Sequence, residues 1–111
     1  MVMLTIEVTR VNDSRCLNLK GELDMETLPM LERMAEAREG EGRLIINLSG
    51  VSFIDSTGLR GLLTIQQEWA AKGGRVHFLN PCPEVAEVFR LVGLEELLQG
   101  TSGEMVEAGE N

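Results

Sequence analysis

Residues 44–48 have the sequence LIINL, a nearly continuous apolar run close to the middle of a 111-residue chain. A run of this kind is typical of a strand that is buried on both faces, whereas strict alternation of apolar and polar residues would indicate one solvent-exposed face. Further along, Leu59, Leu62 and Trp69 recur at helical spacing, with Arg60 on the opposite side of the same turn pattern. The middle of the chain therefore predicts a central strand followed by an amphipathic helix.

The residues before this strand predict a hairpin and then a helix. Apolar residues alternate with polar ones over 4–8 and again over 17–20, and the turn-forming sequence NDS separates them at 12–14. A helix should start between Asp24 and Thr27, both good N-cap residues, with Pro29 tolerated in its first turn. Gly40 and Gly42 should end that helix.

The second half of the chain continues the alternation of strands and helices. The central helix should begin at Ser56 or Thr57 and end at residues 73–74, followed by a strand at 76–79. Pro83 marks the first turn of a third helix, which Gly93 closes. The order β-β-α-β-α-β-α predicts one α/β domain over residues 1–99, with a mixed, mostly parallel sheet and an N-terminal β-hairpin. Residues 100–111, rich in Gly and Glu, are expected to form a flexible tail.

Composition narrows the possible partners. The net charge of −8, with the ten Lys and Arg residues scattered, argues against nucleic acid and against an anionic membrane. No apolar run approaches the roughly 20 residues that span a bilayer, and the N-terminus lacks a signal-peptide pattern. Cys16 and Cys82 have neither zinc-site spacing nor a disulfide framework. A cytoplasmic protein without a metal or other cofactor is expected.

The junction between the central strand and its helix carries the candidate functional residue. Ser56 stands at the predicted helix start, near free backbone N–H groups and the positive end of the helix dipole. A serine there is most often an N-cap, but the same position also suits a phosphorylated hydroxyl. Gly58 in the first turn is expected to leave room for an approaching group. The two interpretations of Ser56 are compatible, and both stay open at this point.

Several segments together resemble the STAS domain family of bacterial anti-sigma factor antagonists. Residues 48–59, LSGVSFIDSTGL, are similar to the family signature, and residues 19–24, LKGELD, to its Gly-Glu-Leu-Asp segment. The Gly pair at 73–74 and residues 88–94 are similar to later landmarks. The resemblance covers roughly residues 4 to 98, and its landmarks occur in the family order.

The resemblance implies a partner-switching mechanism. Ser56 would be phosphorylated by an anti-sigma factor that is also a serine kinase, and a serine phosphatase would reset it. The unphosphorylated protein would bind the anti-sigma factor, and the phosphorylated one would release it. The partner-binding residues that the resemblance implies are Asp24, Asp55, Thr57 and Gly58. Arg60 departs from the family, because many relatives have a glycine there. It places a long cation beside the site and is expected to contact a phosphate or a carboxylate of the partner.

Two other classes of function are considered. A STAS scaffold or transporter-associated regulatory module that is not phosphorylated is the alternative to the switch. An enzyme is not expected, because the only histidine, His77, lies in a strand pattern with no spacing that ties it to Ser56. The glycines form neither a phosphate-binding loop nor a dinucleotide fingerprint.

Overall fold

The central strand predicted at 44–48 is longer in the structure, a computed structural model that describes residues 3–12 and 14–98. The elements, in chain order, are strands β1 (Leu4–Val11) and β2 (Ser14–Leu23), helix α1 (Leu28–Met34), strand β3 (Arg43–Ile54), helix α2 (Ser56–Ala71), strand β4 (Arg75–Leu79) and helix α3 (Pro83–Leu91). The predicted order β-β-α-β-α-β-α is confirmed.

In the described part of the chain, the four strands form one sheet in the order β1-β2-β3-β4. β1 and β2 pair antiparallel, which confirms the hairpin. β2 pairs parallel with β3, and β3 with β4. The mixed, mostly parallel α/β sheet is thus as predicted, and α1 and α2 are the crossover helices between its parallel strands.

The core lies between the helices and one face of the sheet. Leu17, Leu44 and Ile46 point to this face and are fully buried against apolar residues of all three helices. Ile45 points the other way and is only 2% exposed, so the prediction that the central strand is buried on both faces is confirmed. Trp69 also packs in the core, as its place in the helical pattern indicated.

The extension of β3 to Ile54 differs from the prediction, which treated residues 49–55 as a connection. These residues pair in parallel with the end of β2, across register shifts near Lys20 and Gly21. The irregularity breaks the two-residue period: Val51 and Ile54 are buried, while the residues between them are exposed. Alternation in the sequence therefore did not reveal this last part of β3, although its pairing with β2 extends the strand to the start of α2.

Helix α1 has Thr27, the last residue of the predicted range, as its N-cap and begins at Leu28, but it ends at Met34, well before Gly40. Tertiary donors take the carbonyl groups that a longer helix would use internally. The Arg15 guanidinium donates to the carbonyls of Met34 and Glu36, and the Trp69 indole N–H donates to that of Ala35 at 2.7 Å. The chain consequently leaves the helix at this point.

Within residues 3–12 and 14–98, no helix is long and apolar enough to cross a membrane. Residues 95–98 are helical. The predicted tail, residues 100–111, lies outside the described residues, and the domain boundary at residue 99 stays a prediction.

Candidate functional site

The start of α2 is capped by Asp55. Its backbone is extended, its N–H donates to the carbonyl of Leu23 at 3.2 Å, and its carboxylate Oδ1 accepts from the Gly58 N–H at 2.7 Å. Ser56 is the first residue of the helix. Of the two predicted starts, Ser56 and Thr57, the structure has Ser56, and the interpretation of Ser56 as the N-cap is wrong because Asp55 is the cap. An N-cap residue needs an extended backbone and a side-chain acceptor. Because β3 continues to Ile54, Asp55 meets both conditions, one residue before Ser56.

The Ser56 side chain is exposed, and no hydrogen bond of its hydroxyl is found among the described residues. Thr57, the next residue, is half-buried. Asp55 occupies only the third amide of the first turn, so the N–H groups of Ser56 and Thr57 are the nearest donors to a group attached at Ser56. The site thus presents a hydroxyl that the fold does not use, at the positive end of a 16-residue helix.

Because residue 58 is a glycine, the first turn of α2 can lie against the end of β2. A Cβ atom added at Gly58 would stand 2.4 Å from the Leu23 carbonyl oxygen, a distance no side chain tolerates. The residue is buried. The structure thus supplies a packing reason for this glycine in place of the expected one, which was access for an approaching group. Gly58 can shape a docking surface only through the position it gives the backbone.

Asp24 lies on the loop that joins β2 to α1, next to the strand end that holds Asp55. Its Oδ1 accepts from the N–H groups of Glu26 and Thr27 at 2.9 and 3.0 Å. The Thr27 hydroxyl in turn donates to the Glu22 carbonyl at 2.8 Å. Asp24 is half-buried and fastens this loop beside the site, which is how the predicted residues 24 and 55 come together.

Arg60 follows Ser56 by one helical turn and is exposed. The neighbouring residue Gly61 faces the other way, where a Cβ atom would stand 2.4 Å from the Leu28 side chain. The outer surface of the first two turns therefore carries the Ser56 hydroxyl and the Arg60 guanidinium on one stripe.

Two exposed apolar side chains near the site were missed from the sequence. Met25, on the same loop as Asp24, is 68% exposed, and Phe53, two residues before Asp55, is 48% exposed. Exposed aromatic and methionine side chains are typical of protein interfaces. Phe53 lies across from Glu22, beyond the bulge, where alternation in the sequence no longer predicts which side chains are exposed.

The other residues with reactive side chains lie outside the start of α2. His77 is buried in β4, where it pairs with Ile45 of β3. Ile45 lies nine residues before the end of β3, so roughly 30 Å of extended strand separates His77 from the end of the sheet where Ser56 lies. Ser56 and His77 are therefore too far apart to form a catalytic pair. Among the described residues, no three His, Cys, Asp or Glu side chains are grouped to hold a metal ion. Cys16 and Cys82 are free thiols.

The fold and this surface define a mixed α/β domain whose distinctive feature is an exposed serine at the head of its central helix. The chain belongs to the STAS domain family, whose model matches residues 5–108. The resemblance found in the sequence is confirmed.

Named relatives and solved structures agree with this assignment. The chain is 28% identical over 106 residues to an anti-sigma-B factor antagonist of Staphylococcus aureus, covering 94% of this chain and 98% of the relative. It is similar to the anti-sigma factor antagonist SpoIIAA in its unphosphorylated form, with a TM-score of 0.72, 28% identity and 85% of each chain covered. The phosphorylated form of SpoIIAA, a Bacillus cell fate determinant, gives a TM-score of 0.67 and 26% identity over 85% of this chain and 88% of that one.

Proposed function

We propose that this chain is an anti-sigma factor antagonist that switches partners through phosphorylation of Ser56. In the unphosphorylated state it binds an anti-sigma factor that is also a serine kinase, so that the sigma factor is released. Phosphorylation makes it let go, and a serine phosphatase restores it. The observation that carries this proposal is the exposed Ser56 hydroxyl at the first position of α2, free of any structural hydrogen bond among the described residues.

The local geometry supports Ser56 as the acceptor. In the transfer, the Ser56 Oγ forms a bond to the γ-phosphorus of ATP, ADP leaves, and the hydroxyl proton passes to a base of the kinase. Because Asp55 supplies the cap, loss of the hydroxyl proton removes no contact on which the helix start depends. Thr57 carries the second hydroxyl of the motif but is half-buried, so it is the poorer acceptor.

Electrostatics account for release after phosphorylation. The docking surface proposed here combines Met25 and Phe53 with the charged residues Asp24, Asp55 and Arg60. Covering it with a partner removes water from the helix start. A phosphoryl group adds about −1.5 to −2 charges beside two carboxylates, and a charge of that size in a closed interface costs both desolvation and repulsion.

The expected setting follows from the same features. The chain has a net charge of −8, which favours a protein partner with a basic face over nucleic acid or a membrane. The cytoplasm, where the kinase finds ATP, is the proposed location. A regulatory binding protein without catalysis of its own is the proposed class.

Labelling with the serine kinase-type anti-sigma factor from the same genome tests the acceptor. With ATP, intact-protein mass spectrometry should find one phosphate on the natural protein and none on Ser56→Ala. Thr57→Ala, the matched control, should still gain one. Equal labelling of Ser56→Ala would overturn the assignment, and no labelling of the natural protein would favour the unphosphorylated scaffold or transporter-associated module.

A further inference from the structure

The position of Arg60 relative to Ser56 is set by helical geometry. Residues four apart on a helix are neighbours, with Cβ atoms about 5–6 Å apart. Side chains on a helix lean toward its N-terminus, so the Arg60 side chain leans toward the turn that begins with Ser56. Both side chains are exposed. A guanidinium on this stripe can therefore reach a group attached to the Ser56 oxygen.

No acidic residue lies within four positions of Arg60 along α2. The residues three and four positions away are Ser56, Thr57, Leu63 and Thr64, and Arg60 is the only Lys or Arg in the α2 sequence. Within the described residues, no ion pair or hydrogen bond of its side chain is found. An anion placed at Ser56 would therefore meet an unpaired cation.

The other charges around this helix start are mostly negative. Asp55 precedes the serine, and Asp24 and Glu26 lie on the adjoining loop. Helix α1, which packs against α2, carries the exposed charges Glu32 and Arg33. These carboxylates repel a dianion at Ser56. A nearby cation would offset this repulsion and stabilise the phosphate.

We propose that Arg60 is a positioning residue for the modified switch, and that its guanidinium holds the phosphoryl group on Ser56. Guanidinium and phosphate pair through two parallel, charge-assisted hydrogen bonds. This pairing rests on the proposed phosphorylation of Ser56. It gives phosphorylation a second effect besides repulsion, namely that Arg60 becomes occupied. In the unmodified protein Arg60 is available to a carboxylate on a partner, and in the modified protein its own phosphate occupies it.

The pairing can be measured without a partner by incorporating phosphoserine at position 56 during translation. Phosphorus NMR titration at low salt then reports the second pKa of the phosphate, ordinarily about 6. Arg60→Gln should raise this pKa by about 0.3 of a pH unit or more, because a neighbouring cation favours the dianion. Arg60→Lys should retain part of the effect as a point charge.

Arg43→Gln is the matched control, because Arg43 is exposed at the opposite end of β3. It should leave the phosphate pKa unchanged. At about 1 M salt, where screening acts over about 3 Å, the difference between the natural protein and Arg60→Gln should shrink. An Arg60→Gln titration that coincides with that of the natural phosphoprotein would overturn the proposal.

This test and the kinase experiment fail independently. Because the phosphoserine is installed at translation, a null titration leaves the kinase result unaffected. Failure of the kinase to label Ser56 would remove the proposed function, whereas the measured pKa would still decide the Arg60 pairing. Thermal unfolding of Arg60→Gln confirms that the variant is folded in either case.

Discussion

The start of α2 does not depend on the Ser56 hydroxyl, because Asp55 and Gly58 fix its structure. Asp55 takes the amide that a capping serine would otherwise accept, and Gly58 brings the first turn against the Leu23 carbonyl. The proposed phosphorylation of Ser56 would therefore remove no contact within the fold. The aspartate and glycine of the motif have structural roles, and the chemical role is proposed for the serine.

Gly58→Ala tests the packing at this position. The added Cβ would stand 2.4 Å from a backbone oxygen, so the helix start or the end of β2 must move. We expect a loss of about 1–3 kcal/mol in the free energy of unfolding, measured by chemical denaturation. Gly42→Ala is the control, because a Cβ atom there has no atom within 4 Å. Equal stability of the two variants would contradict the packing account.

At this scale the sequence predicted the motif but not the division of roles. Asp55, Ser56 and Thr57 are all good cap residues in succession, so propensity alone could not choose among them. The contact of Gly58 with Leu23 joins residues far apart in the chain. Only the extension of β3 to Ile54 decides both points.

Among the elements, the segment from the end of α1 to the start of β3 is fastened by a buried arginine. Arg15 is only 2% exposed, pairs with Glu41 at 2.8 Å and lies 5.9 Å from the centre of the Trp69 ring. Its remaining donors hold carbonyls at the end of α1. No role for Arg15 was predictable from the sequence, because its hydrogen-bond partners are 19 to 26 residues away and no local pattern connects them.

The Arg15–Glu41 pair predicts a pH dependence of stability. Burial of Glu41 acts against its charged form, but the hydrogen bond and charge of Arg15, with the Arg38 N–H and charge, hold its pKa below the ordinary value of 4.5. A carboxyl whose pKa is lower in the folded state stabilises the fold above pH 4.5 and stops doing so as the pH falls through its folded pKa.

Glu41→Gln should therefore cost about 1–3 kcal/mol of unfolding free energy near neutral pH, and the difference from the natural protein should shrink in acid. Urea denaturation at a series of pH values measures it. Glu32→Gln, at an exposed position of α1, should show a small difference throughout. A Glu41→Gln deficit that stays constant down to acidic pH would show that the ion pair is not its cause.

In the whole molecule, the parallel pairing of β2 with β3 brings the site together. Both strands end at the same edge of the sheet, where Leu23 leads into the loop of Asp24 and Ile54 into Asp55. This edge is where α/β sheets place their ligands and partners. The order of elements and the mixed sheet were predictable because each period is clear over most of the chain. The exposed Met25 and Phe53 were not, since their exposure depends on bulges and loop packing that periodicity does not describe.

The central claim is that charge added at Ser56 ejects a docked protein. The most direct measurement is the affinity of the same-genome anti-sigma factor for the chain with serine and with phosphoserine at position 56, by isothermal titration calorimetry. We expect phosphoserine to weaken binding at least tenfold, which is about 1.4 kcal/mol. Equal affinities for the two forms would contradict the switch.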